Sequence, residues 1–127
     1  MDDRLLPQLY RTTRMLLLHG QAHGDQMAHT LGLNRRTLAR RLAAHGQSLQ
    51  RVLDEVRYAV ARALLADTDL SVVGIALTLG YAEASPFVRA FRRWSGTAPL
   101  PWRQAHRADN TTESYARRTV EVSRCRA

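Results

Sequence analysis

The chain has 127 residues, 45% of them apolar, which is enough to bury a core and excludes wholesale disorder. Its formal net charge is +8, and all 19 basic residues are arginine, so an anionic partner is expected, nucleic acid ahead of a membrane surface. A lone cysteine, Cys125, excludes an internal disulfide, and no apolar run approaches the about 20 residues of a membrane span.

The first ten residues are too polar for a secretory signal, which makes the cytoplasm, at the nucleoid, the expected location. Four prolines and seven glycines in the whole chain predict a mostly helical molecule. Residues 1–9 read as a lead-in or linker stub. A first helix is expected from Tyr10 to His19, ended by Gly20, and a short second one from Gln26 to Leu31. Asn34 is a good N-cap for a third helix running to about His45, with Gly46 stopping it. Ser48 caps a long fourth helix to about Ala66, whose Leu49, Val52, Leu53, Val56, Val60 and Leu64 recur at single-face spacing. Ser71 opens a fifth helix to Leu79, and a sixth runs from Ala84 to Trp94 before Ser95-Gly96. Pro99 to His106 reads as a last short helix. Beyond Arg107 the chain turns polar and aperiodic, and residues 108–127 are expected to form a flexible tail.

One motif occurs twice. Met27-Ala28-His29-Thr30-Leu31-Gly32 matches Ile75-Ala76-Leu77-Thr78-Leu79-Gly80, and Leu38-x-Arg40-x-Leu42 matches Phe87-x-Arg89-x-Phe91. Each copy is a short helix, a glycine turn and a second helix with an apolar pair, the pattern of a helix-turn-helix unit. The second copy has one extra residue after its glycine. The fold expected is therefore all-α: two helix-turn-helix subdomains, about 10–46 and 70–107, joined by a linker helix at about 48–67, with about seven helices in all.

The second helix of each copy carries arginine away from its apolar stripe. In the third helix Leu38 and Leu42 point one way, Arg36 and Arg40 the other, with Arg35 and Arg41 flanking. In the sixth, Phe87, Ala90, Phe91 and Trp94 make the stripe, while Ser85, Arg89 and Arg92 line the far side beside Arg93. No acid lies on either helix; Asp54, Glu55, Asp67 and Asp69 gather on or after the linker. The arginine fork suits phosphates and guanine edges. Two unlike faces predict an asymmetric double-stranded DNA site, met in successive major grooves.

At this level the sequence resembles the DNA-binding domain of the AraC/XylS family of transcription regulators, over about Met15 to His106. The most specific stretch is Ile75-Ala76-x3-Gly80-Tyr81, followed by Phe87-x-Arg89-x-Phe91-Arg92-Arg93-Trp94-x-Gly96-x2-Pro99. The resemblance implies base-reading positions at Arg36, Ala39 and Arg40, and at Ala84, Ser85, Val88 and Arg89. Arg35, Arg41, Arg92 and Arg93 are candidates for phosphate contact. It also implies promoter binding that acts through RNA polymerase. Ala82 stands where the family often has a capping Ser or Asp, with Ser85-Pro86 as a later cap, and Gly74 where an acid is common. Members of the family usually carry an effector or dimerisation domain ahead of this part. The chain thus reads as a stand-alone member, a fragment or a truncated regulator, with no small-molecule effector site among these residues.

No catalytic constellation, phosphate loop or cofactor motif is legible, and catalysis is not expected. His19 and His23 are four apart, but Gly20 and Gly24 interrupt them and nothing completes a metal set. Two other functions fit the same residues: a helical module docking an acidic protein, and a truncated regulator that occupies operators without activating.

Overall fold

In the computed structural model, which describes residues 4–107, every described element is a helix. They are α1 (Leu5–Leu18), α2 (Gly24–Thr30), α3 (Arg35–Ala44), α4 (Leu49–Asp67), α5 (Val72–Thr78) and α6 (Ala84–Ser95). A seventh, α7, covers residues 99–107. The tail expected over 108–127 lies outside the described residues.

The caps read from the sequence form. The side chains of Asn34, Ser48 and Ser71 accept backbone N–H bonds from Thr37, Arg51 and Gly74, at 2.8, 3.2 and 3.0 Å. The start of α6 differs from the expectation of a Ser85-Pro86 cap. Glu83 takes the N-cap place in extended backbone, its side chain makes no capping bond, and Ser85 and Pro86 fall inside the first turn. Pro86 is harmless there, because the first N–H groups of a helix have no intrahelical partner.

The same reason corrects the N-terminal boundary. The stretch read as a lead-in is largely helix: α1 starts at Leu5, and Leu5 and Leu9 are buried in the core. Pro7 is the third residue of α1, and the first helical bond is donated by Gln8 to Arg4, so no bond is lost at Pro7.

The repeated turns are hydrogen-bonded alike. Leu33 N–H donates to Ala28 O at 2.9 Å, and Tyr81 N–H to Ala76 O at 2.9 Å. Gly32 and Gly80, with φ of 73° and 92°, supply the left-handed residue that this helix ending needs. The extra residue of the second copy falls between Gly80 and Glu83, after the turn has closed.

α4 joins the two units: α1 packs on it from the first and α5 from the second. At 19 residues it is about 28 Å long. The expected single apolar face is only partly right. Val52, Val56 and Val60 are buried, but Leu49, Leu53 and Leu64 are half-buried, and Ala61 and Leu65 join the core instead. From Val52 to Ala61 the helix advances nine residues, a net rotation of about half a turn. The buried stripe therefore passes from one side of α4 to the other, because a different unit covers each end.

Directional contacts fasten the second unit to α4. Arg57 Nε donates to Leu79 O at 3.2 Å, and its guanidinium sits 5.1 Å over the Tyr81 ring. Arg103 on α7 donates to Leu65 O at 2.9 Å, at the end of α4, and to Leu70 O at 2.7 Å, in the segment that follows it. Tyr58 of α4 meets Phe91 edge-on and stacks on Trp94, each at 5.7 Å. On the first unit, Tyr10 of α1 hydrogen-bonds Glu55 of α4. Burial first, then that bond, pushes the Tyr10 phenol up to about 12.

Candidate nucleic-acid interface

Leu38 and Leu42 anchor α3 in the core, fully buried, and so turn the opposite face outward. Arg36, Ala39, Arg40 and Arg41 are all exposed on α3. On α6, Phe87, Ala90 and Phe91 are buried, and Ser85, Arg89, Arg92 and Arg93 are exposed, with Ala84 and Val88 half-buried between. Arg36, Arg40, Arg41, Arg89 and Arg92 have no hydrogen-bond or ion-pair partner among the described residues.

Arg35 is placed differently. Its guanidinium lies back over Gly24, where an added Cβ would meet its Nε at 3.0 Å, and it stands 3.8 Å from Asp25. Both partners of that pair are exposed, so it contributes little. It does draw Arg35 away from the face formed by Arg36 and Arg40.

The helix dipoles set the two faces apart. α3 has no acid in its first turn and places Arg35 and Arg36 there, at the end where positive charge is unfavourable. α6 places Arg92 and Arg93 in its last turn, where the dipole favours them. Arg35 and Arg36 thus oppose the local stability of α3, whereas Arg41, in its last turn, and Arg92 and Arg93 of α6 assist theirs. The N–H groups of the first turn that Asn34 leaves uncapped, with the Arg36 guanidinium beside them, make an anion-seeking end.

Other arginines turn out to be structural. Arg57, Arg103 and Arg107 are spent on backbone carbonyls, a ring face and Asp69. None of the three stands out in the sequence as structural. Their only signal is position: Arg57 lies within the linker helix and the other two lie beyond α6. His19 ends α1, its Nδ1 2.8 Å from Met15 O, and His23 precedes α2, so the two histidines share no helix face. No described helix is long and apolar enough to cross a membrane.

A family model for a helix-turn-helix domain matches residues 27–105. The chain belongs to the AraC-type helix-turn-helix family. Members of this family are DNA-binding transcription regulators, not enzymes. The ornithine utilization regulator of Pseudomonas aeruginosa is 40% identical over 99 residues, 76% of this chain and 29% of the relative. The transcriptional regulator VirS of Mycobacterium tuberculosis is 37% identical over 102 residues, 80% of this chain and 30% of the relative. The chain thus spans about three tenths of the length of these curated relatives.

Solved structures of DNA-binding regulators are similar. The DNA-binding domain of AdpA, determined in complex with a target DNA, is 30% identical, with a TM-score of 0.65 over 80% of this chain and 94% of that one. The regulator CdpR from Pseudomonas aeruginosa is 43% identical, with a TM-score of 0.61 over 65% of this chain and 26% of that one.

Proposed function

We infer that this AraC-type chain binds double-stranded DNA sequence-specifically, with α3 and α6 in successive major grooves of an asymmetric site, and regulates transcription there through RNA polymerase. The observation that carries the reading is the pair of exposed, acid-free arginine faces on the second helix of each repeated unit. Arg36, Ala39 and Arg40 on α3, and Ala84, Ser85, Val88 and Arg89 on α6, are the base-reading set. Arg41, Arg92 and Arg93 neutralise phosphates, and Arg35 joins them on leaving Asp25. The AdpA domain, solved on its target DNA, supports the same use of the fold. The cytoplasm, at the nucleoid, is where such a protein acts.

A competition gel shift of promoter fragments against random DNA tests this. Arg40→Ala and Arg89→Ala should each reduce discrimination between sites by about 1–3 kcal/mol. Arg92→Ala should weaken binding to every sequence and lower the slope of log affinity against log salt by about 0.9. A wild-type chain that prefers no fragment over random DNA would exclude the reading. Capture of an acidic protein, without any DNA shift at low salt, would favour a protein-docking module instead.

A further inference from the structure

The repeat places Arg40 and Arg89 at equivalent positions, each the sixth residue of its helix. One turn earlier, at the second residue, the copies diverge: α3 has Arg36 and α6 has Ser85. Recognition helices contact base edges with their N-terminal residues. Of the four arginines on α3, Arg35 is drawn back over Gly24, and Arg41 points to the side, well off the line of Arg36 and Arg40. Arg36 and Arg40 remain, exposed, on one line and about 6 Å apart along the helix axis, close to two base-pair steps of about 3.4 Å. On α6 the corresponding reach holds one fork, Arg89, beside a short hydroxyl and the methyl groups of Ala84 and Val88. Arg92 lies in the last turn, away from the base-reading end. Arg36 also stands where the dipole opposes it, so it does not serve the stability of its own helix.

We propose that the two halves of the DNA target are unlike in a defined way: the half read by α3 carries two guanines about two base pairs apart, met by Arg36 and Arg40, and the half read by α6 carries one, met by Arg89. The methyl groups of Ala84 and Val88 favour thymine beside that single guanine. Arginine is the side chain whose fork meets guanine O6 and N7 together, and serine at position 85 has neither the length nor the fork to do so. The proposal rests on the reading of α3 and α6 as major-groove helices.

Selection of bound sequences from a random double-stranded pool tests it, using the full chain and three variants. The wild type should enrich two blocks, one with a guanine pair and one with a single guanine. Arg36→Ser should remove one guanine of the pair and leave the other block untouched. Arg36→Lys keeps the charge but not the fork, and should weaken the preference for the same guanine while retaining the salt dependence. Ser85→Arg should add a second guanine to the other block. In competition binding each gained or lost guanine should change relative affinity by about 10-fold. Circular dichroism shows that each variant compared is folded. Enriched blocks without the pair, or an Arg36→Ser profile identical to the wild type, would overturn the proposal and leave specific binding standing. Failure to enrich any sequence would overturn the DNA-reading function itself.

Discussion

The two helix-turn-helix units share one backbone plan and are held together by different means. In the first, the buried large side chains are aliphatic or methionine: Leu9, Leu16, Leu17, Met27, Leu38 and Leu42. The second is built on rings, with Phe87 and Phe91 buried and Tyr58, Tyr81, Trp94 and Trp102 around them. It is also stitched to α4 by Arg57 and Arg103, whereas the first has Tyr10 on Glu55 and one longer arginine bond, from Arg51 of α4 to Gly46 O at 3.3 Å. Apolar packing tolerates small slides, while bonds to individual carbonyls and ring edges do not. The contrast teaches that the pose of α6 on α4 is specified more tightly than that of α3.

The largest effects come from the cores. Phe91 lies within 6 Å, centroid to centroid, of the rings of Tyr58, Phe87 and Trp102. Phe91→Ala should cost about 3–5 kcal/mol, and Leu42→Ala about 3 kcal/mol, in urea denaturation. Both tryptophans belong to the second unit, so their fluorescence reports on that unit alone. If the continuous core makes one cooperative body, Leu42→Ala shifts the fluorescence and far-ultraviolet dichroism midpoints together. Separate shifts would show two bodies instead.

Next comes the stitching. Arg103→Met should lower stability by about 2 kcal/mol in thermal denaturation, because it strips donors from carbonyls at the end of α4 and just after it. A variant as stable as wild type would mean that water satisfies those carbonyls, and the asymmetry in fastening would vanish.

The turns should behave alike. Gly32→Ala and Gly80→Ala each force a left-handed residue and should each cost about 1 kcal/mol. Space is no obstacle, since the nearest atom to a new Cβ at Gly80 is Arg57 Nη2 at 3.8 Å, and nothing lies within 4 Å at Gly32. A far larger loss at Gly80 would show that Arg57 cannot adjust.

The smallest effect concerns Tyr10. Tyr10→Phe removes the bond to Glu55 and should cost about 1 kcal/mol at neutral pH. The folded phenol titrates at about 12, above its ordinary value of 10.0. Its contribution is therefore complete below pH 10 and is lost as pH rises through 12. The gap between wild type and variant should close over that interval in pH-dependent unfolding, and a gap unchanged at pH 12 would rule out the bond as its source.

Much of this architecture was legible in the sequence, because helix signals are local. Asn34, Ser48 and Ser71 announce helix starts, and the glycine after each repeated motif announces a stop. The start of α1 was hidden because Pro7 resembles a barrier until its place in the first turn is known. The turning stripe on α4 was hidden because periodicity cannot say that two bodies cover one helix from different sides. An all-arginine basic set also conceals which members are structural, and Arg57 and Arg103 declare themselves only through the carbonyls they reach. The candidate reading positions came from resemblance and spacing, and every one of them is exposed or half-buried.

The length of α4 has a consequence for how this architecture can change. One residue inserted in its middle would carry the second unit only about 1.5 Å farther along the axis but swing it about 100° around it. Seven residues would nearly restore the heading, at the cost of about 10 Å of added reach. Phase and distance between the two arginine faces are geared together, so gradual drift in the length of this rod is closed to the molecule. A target with different spacing would have to be met by bending the duplex or by remaking the side chains.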